Sequence, residues 1–161
     1  MTPPDRLLPS GLRVRAAFSH RGPGRALVHN LKYRGIGPAG EVLAAAMAPL
    51  IPPGTVLVPL ERVGWRRLRH GIDPATVLCE RLASLTGQSV AHLLAAPWFG
   101  PVQASRSRSQ RRAPIFRLRG WPEGPVVLVD DVVTTGGTIE RARELIGTAV
   151  TMAVTATAVS D

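Results

Sequence analysis

Two adjacent carboxylates and a glycine-containing loop follow one apolar run late in this 161-residue sequence. The run VVLV ends at Asp130 and Asp131, and TTGGT, residues 134–138, comes shortly afterwards. Either carboxylate can accept hydrogen bonds from hydroxyl groups or help to hold Mg²⁺, a cation that prefers oxygen ligands. Because a charged pair inside a buried strand would be costly to desolvate, we expect both side chains to leave the sheet into a crevice. Neighbouring residues of an extended chain point to opposite sides, so the two aspartates should have different tasks.

Segment 134–138 has the composition of an anion-binding turn. Gly136 and Gly137 allow a tight turn in which successive backbone amides approach a ligand closely. The helix predicted for residues 138–146 begins there, so its positive dipole end would face the same ligand. No lysine follows the glycines, which excludes a Walker A loop. Each part alone also fits a plain strand-to-helix turn, but the order of the parts favours a ligand with a diol and a nearby phosphate, a ribose 5-phosphate.

The elements that must position these residues alternate along the chain between strands and helices. The predicted strands are continuous apolar runs, which is typical of a mostly parallel sheet with helices on both faces. In such sheets ligands bind beyond the carboxyl ends of the strands, where the aspartates lie. We predict strands over residues 55–60, 89–95, 115–118, 125–131 and 149–159, and helices over residues 25–33, 41–50, 74–85 and 138–146.

The length predicts one domain over residues 1–161. Two segments depart from the alternation of strands and helices. Residues 1–23 are rich in proline, glycine and arginine, and we expect a peripheral segment there. Its alternating piece, residues 12–18, predicts a short strand or hairpin outside the core. Residues 97–114 form a long polar connection without a clear element, which we expect to be a flexible functional loop.

Composition limits the classes of partner. The formal net charge is +9, which favours a phosphorylated small molecule or nucleic acid. Lys32 is the only lysine among 20 basic residues; its compact ammonium suits a phosphate, and a plain surface lysine is the alternative. The single cysteine, Cys79, excludes an internal disulfide and a cysteine-rich zinc site. The apolar stretches are too short to span a membrane and no signal peptide is evident, so we expect a cytoplasmic protein.

Several segments resemble known sequences. VVLVDDVVTTGGT, residues 126–138, closely resembles the phosphoribosyl-pyrophosphate (PRPP) loop of type I phosphoribosyltransferases. Other segments resemble the ComF family of competence-associated, phosphoribosyltransferase-like proteins, and the resemblance covers roughly residues 16–160. They are LVHNLKYRG (27–35), VLVPL (56–60), RHGIDPATVLCERLA (69–83) and VQASRSRSQRRAPIFRL (102–118). Many members of that family also carry a four-cysteine zinc module, which is missing here.

The resemblance implies a type I phosphoribosyltransferase-like α/β fold, with a mobile hood segment over residues 103–112. It implies that Thr134 to Thr138 hold the 5-phosphate and that Asp130 and Asp131 bind the ribose hydroxyls, with Asp131 as a catalytic residue. The implied PRPP-binding residues are Asp130, Asp131, Val132, Val133, Thr134, Thr135, Gly136, Gly137 and Thr138. The candidates for the pyrophosphate loop and hood are Lys32, Glu61, Arg62, Arg106, Arg108, Arg111 and Arg112.

The implied activity is Mg²⁺-dependent transfer of phosphoribosyl from PRPP to an unknown nitrogen acceptor. Mg²⁺ would be held mainly through PRPP, without a dedicated protein metal site. The alternative is a non-catalytic PRPP sensor or accessory protein of competence and DNA uptake, with single-stranded DNA or a DNA-uptake helicase as partner. The oligomeric state stays open, a homodimer included. The four histidines, His20, His29, His70 and His92, have no metal-ligand spacing and are expected to be structural or on the surface.

Overall fold

The computed structural model describes residues 5–33, 37–61, 73–95 and 116–159, which form an α/β structure. The strands are β1 (Arg6–Leu7), β2 (Arg13–Ser19), β3 (Val56–Pro59), β4 (Ser89–Val90), β5 (Leu94–Ala95), β6 (Arg117–Leu118), β7 (Val126–Val133) and β8 (Val150–Ala158). The helices are α1 (Gly22–Tyr33), α2 (Pro38–Met47), α3 (Pro74–Thr86) and α4 (Gly137–Ile146), with 3₁₀ turns at Ala48–Leu50 and Gly147–Ala149.

Six strands form the central sheet in the order β1-β2-β8-β7-β3-β4. All its neighbouring pairs are parallel except β1 with β2. The long strands β7 and β8 lie in the middle, and their apolar runs follow from having both faces covered. Strands β5 and β6 form a separate antiparallel ribbon.

The two faces of the sheet carry separate apolar cores. Val127 and Val129 pack on one face with buried side chains of α1, α2 and α3. Val126 and Leu128 pack on the other face with α4 and the β5–β6 ribbon. This arrangement confirms the predicted mostly parallel sheet with helices on both faces. Every helix in the described part of the chain is too short or too polar to cross a bilayer.

Helix α3 begins at the predicted residue, Pro74, and ends at Thr86, one residue beyond the predicted end. The side chain of Asp73 accepts a hydrogen bond from the Thr76 amide at 3.1 Å, which satisfies one orphan donor of the first turn. Pro74 occupies the first helical position, where a missing N–H costs nothing. Gly87 ends the helix with a φ of 71°, a conformation that glycine adopts without a steric penalty.

The prediction that residues 12–18 lie outside the core is wrong. Strand β2 pairs in parallel with β8, and Val14 and Ala16 are buried in the core beside α4. The arginines that alternate with them made the segment look peripheral. Arg13 is exposed and Arg15 pairs with Asp5 at 3.5 Å, so the charges stay near solvent while the strand is internal.

The predicted strand over residues 89–95 divides into two short strands. Ser89–Val90 pairs with β3 in the central sheet, whereas Leu94–Ala95 pairs with β6 in the ribbon. The chain therefore leaves the sheet between them. The predicted flexible connection, residues 97–114, lies outside the described residues.

Candidate functional site

The carboxyl ends of β2, β8, β7 and β3 meet at one edge of the sheet, because these four neighbouring strands are parallel. His20 follows β2 directly, and Glu61 follows β3 by two residues. Strand β7 runs into residues 134–136 and then α4 at the same edge. The topology thus brings the predicted phosphate loop to the place where α/β sheets bind ligands.

Strand β7 continues through both carboxylates, in agreement with the predicted strand over residues 125–131, but the expectation that both side chains leave the sheet into a crevice is wrong for Asp131. Asp130 is in register with Thr155, and Val133 is in register with Ala158 at the end of β8. Asp131 is only 1% exposed. A buried carboxylate requires a compensating charge, and the fold supplies one from α1.

That compensating charge is Lys32. Its Nζ atom lies 2.5 Å from Oδ2 of Asp131, and the two side chains are 22% and 2% exposed. Lys32 lies in the last turn of α1, which packs on the same face of the sheet as Val129. The structure therefore places this predicted phosphate ligand on a carboxylate.

Asp130 has a different environment from Asp131, as the sequence predicts. It is partly exposed, and its Oδ1 atom accepts a hydrogen bond from the Asp131 amide at 2.7 Å. A ligand at this edge can reach the Asp130 carboxylate without displacing Lys32.

The segment between β7 and α4, the predicted phosphate loop, leads into a helix whose first turn has no side-chain cap. Thr134 and Thr135 are exposed, and Gly136 is the N-cap residue of α4 with a φ of 83°. No side chain caps the helix, so its first amides and its positive dipole end face the loop. A Cβ atom at Gly136 would also overlap the Leu8 side chain, so both conformation and space require glycine there.

The N-terminal hairpin of β1 and β2 contacts the loop between β7 and α4, and the sequence did not predict these contacts. The Arg6 guanidinium donates to the carbonyl of Thr134, and also to the carbonyl of Val159 at 2.7 Å. The Ser10 amide donates to Glu140 on α4 at 3.0 Å. These partners are more than a hundred residues apart in sequence, and no local pattern indicates such contacts.

His20 also lies at the carboxyl edge of the sheet, a position that the sequence did not predict. Its Nδ1 atom lies 2.8 Å from Oγ1 of Thr157 on β8. The pKa of His20 is lowered, first by burial and then by the positive charges of Lys32 and Arg25, whereas Asp131 acts in the opposite direction. The sequence predicts a structural or surface role for this histidine from the lack of metal-ligand spacing, and such spacing carries no information on contacts between distant strands.

Of the other predicted pyrophosphate-loop and hood residues, the structure describes Glu61 and does not describe the arginines. Glu61 lies at the end of β3, and its carboxylate is 2.6 Å from Nδ1 of His92. Five arginines proposed for the pyrophosphate loop and hood lie outside the described residues: Arg62, Arg106, Arg108, Arg111 and Arg112. Among the residues that the structure describes, no group of three or more His, Cys, Asp or Glu side chains could hold a metal ion.

No protein-family model matches this chain, and no curated protein matches it either. Its structure is similar to a solved HPRT, the glutamic acid mutant from an analysis of an invariant aspartic acid in HPRTs. That similarity has a TM-score of 0.38 and a sequence identity of 16%, and it covers 82% of this chain. The chain spans 66% of the HPRT chain, just under two thirds.

Proposed function

We propose that this chain is a PRPP-binding, phosphoribosyltransferase-like protein of the ComF type. The observation that carries the proposal is one juxtaposition at the carboxyl edge of a parallel sheet. A partly exposed carboxylate, Asp130, precedes by a few residues a glycine loop that opens a helix with no side-chain cap. An acidic group beside an anion site suits a sugar diol joined to a phosphate.

In this proposal the 5-phosphate lies on the loop between β7 and α4. Its oxygens accept hydrogen bonds from backbone amides around Gly136 and Gly137, and the hydroxyls of Thr134 and Thr135 add donors. The helix dipole and the net charge of +9 both favour an anion at this position. The positive φ of Gly136 turns the chain toward the bound group.

Asp130 would accept hydrogen bonds from the ribose hydroxyls, because it is the more accessible of the two aspartates. The predicted catalytic role of Asp131 stays a prediction; in the structure its carboxylate is the partner of Lys32. Asp130 also fits Mg²⁺ as one oxygen ligand, with the oxygens of PRPP itself supplying most of the others. When bound, the cation would offset charge on the leaving diphosphate.

The reaction proposed for this site is displacement of pyrophosphate from the anomeric carbon by a nitrogen nucleophile. The protein contributes by holding the ribose phosphate in place and by matching the charges that develop during displacement. Lys32 offsets the charge of the buried Asp131, the neighbour of the proposed ribose ligand Asp130.

Calorimetric titration of Mg²⁺ and PRPP into the protein tests this function. We expect saturable binding to the wild type, and a loss of about tenfold or more in affinity for Asp130→Asn, since a hydrogen bond to a charged group contributes about 1.5–3 kcal/mol. Glu123→Gln is the matched control, because this exposed carboxylate lies before β7 at the opposite edge of the sheet. Absence of binding by folded wild type would refute the proposal.

The alternative is a non-catalytic accessory protein of competence or DNA uptake that binds single-stranded DNA. The net charge of +9 favours this role, and exposed arginines such as Arg21 and Arg25 lie close to the candidate site. PRPP binding does not distinguish the two roles, whereas release of pyrophosphate in the presence of an acceptor does.

A further inference from the structure

The segment that contains β6 has one face toward the core and one toward solvent. Phe116 is buried, and Leu118 packs against the core on the α4 side of the sheet. Arg117, Arg119 and Trp121, which alternate with them, are exposed. Alternating burial of this kind is typical of an extended chain, so the three exposed side chains share the solvent-facing side. These three residues are called the ribbon strip below.

The two arginines of the ribbon strip carry charges that the described protein does not use. Among the residues that the structure describes, neither Arg117 nor Arg119 has an ion pair or a side-chain hydrogen bond. Other exposed or partly exposed arginines do have such partners: Arg6, Arg15, Arg81, Arg141 and Arg143. Strands β5 and β6 contain no acidic residue that could neutralise the strip. Two positive charges are therefore available to an external anion.

Trp121 gives the ribbon strip an aromatic surface. Its side chain is 74% exposed, and it is the one strongly exposed aromatic residue in the described part of the chain. An indole in this position lacks the stabilisation that burial of its apolar surface would give. Its planar face is open to a partner that stacks on it.

The spacing of the ribbon strip suits a single strand of nucleic acid. Arg117 and Arg119 are two residues apart in an extended chain, about 6.6 Å along its axis, so their long side chains can reach neighbouring phosphates of one strand. Trp121 continues the same line and offers its face to one base. Sites that accept single strands of any sequence combine these two features, positive charges along the backbone and an aromatic platform. The bases of a duplex are already paired and stacked on one another, so they are not available to the indole.

The ribbon strip ends at Trp121. Glu123, two residues further on, is also exposed, and its negative charge repels phosphates. The chain bends at Glu123 and Gly124 before β7 begins, so the extended geometry stops there. A bound strand is therefore expected to run from the indole toward Arg117.

We propose that the ribbon strip binds single-stranded nucleic acid, with the two guanidinium groups on neighbouring phosphates and the indole stacked on a base. The net charge of +9 attracts polyanions to the whole molecule but does not say where they bind. The strip gives that contact a place. The inference does not rest on PRPP binding, because none of its steps uses the loop between β7 and α4.

Fluorescence anisotropy with two labelled probes of equal length tests the stacking. One probe is oligothymidine, and the other is an abasic deoxyribose-phosphate chain. Trp121→Leu should weaken oligothymidine binding by about fivefold or more and leave binding of the abasic probe unchanged, because leucine removes only the aromatic plane. Trp121→Phe should retain most of the affinity, since a phenyl ring also stacks. Equal losses on both probes, or no loss on oligothymidine, would overturn the proposal.

The salt dependence of oligothymidine binding tests the arginines. Arg117→Gln and Arg119→Gln should each make the slope of the log–log salt plot shallower by about 0.7, the value of one phosphate contact with a single strand. Arg13→Gln is the matched control, because Arg13 is an exposed arginine of β2 without an ion pair among the described residues. An equal change in the control would mean that diffuse charge attraction, rather than the strip, holds the strand.

Two further outcomes would overturn the proposal. One is a wild type that binds neither probe at low salt, and the other is a DNA duplex that competes as well as oligothymidine does. If variants of all three strip residues bind both probes as the wild type does, the partner of this surface is not nucleic acid. None of these results bears on the proposed function, because calorimetry with PRPP tests that function separately.

Discussion

At the scale of single residues, the ion pair of Lys32 with Asp131 is the main electrostatic feature of the site. A carboxylate only 2% exposed is tolerable because an ammonium lies 2.5 Å away. Removing one partner of a buried pair leaves an uncompensated charge, whereas removing both partners leaves none. The pair is therefore expected to behave as a unit in stability measurements.

Lys32→Met should lower the free energy of unfolding by about 3 kcal/mol, the lower end of the range for a broken buried pair, because Lys32 is partly exposed. The double variant Lys32→Met/Asp131→Asn should recover most of that loss. Urea denaturation at pH 7 of the wild type, both single variants and the double variant gives the coupling free energy. A coupling below about 0.5 kcal/mol would show that the two side chains are energetically independent.

At the scale of elements, the hairpin of β1 and β2 is a support for the phosphate loop. Arg6 holds the carbonyl of Thr134, the residue that begins the loop, and Leu8 packs against Gly136. Arg143 of α4 donates to the carbonyl of Ser10 at 2.7 Å, which joins the hairpin to the helix as well. The hairpin thus contacts the loop and the helix that follows it, and should restrict their movement.

Arg6→Ala should weaken PRPP binding by about fivefold, since losing one exposed charged hydrogen bond that orders a loop costs about 1 kcal/mol. Arg13→Ala, which removes an exposed arginine from the same hairpin, should leave the affinity unchanged. Calorimetry with Mg²⁺ and PRPP measures both variants. Equal losses in the two would mean that net charge, rather than the support of the loop, explains the effect.

At the scale of the whole molecule, the net charge of +9 predicts attraction to polyanions. We expect a labelled oligothymidine to bind at low salt. The logarithm of its binding constant should fall linearly with the logarithm of the salt concentration. Each phosphate contacted should contribute about −0.7 to the slope for a single strand. Fluorescence anisotropy at several salt concentrations measures this slope, and excess Mg²⁺ and PRPP as competitor shows whether the site is shared. Absence of binding at the lowest salt would remove the nucleic-acid role.

Local patterns predicted the elements whose ends depend on neighbouring residues. Helix α3 follows from the cap at Asp73, the proline after it and the glycine at position 87. The run of apolar residues before Asp130 predicted β7, and the glycines at 136 and 137 predicted the turn into α4. These signals work because caps, turns and apolar runs act within a few residues of the chain.

The misjudged features all depend on distant contacts. An alternating arginine-rich segment, residues 12–18, became an internal strand because β8 covers one edge of it. Asp131 is buried, which is tolerable because α1, about a hundred residues earlier, brings Lys32 to it. His20 acquired a defined hydrogen-bond partner only when β2 and β8 became neighbours. Burial and pairing energies depend on which elements meet. Residue types and spacing therefore predicted the strand, the glycine turn and the helix around residues 126–146, whereas the packing of the sheet decided which side chains, Lys32 and His20 among them, lie beside these elements.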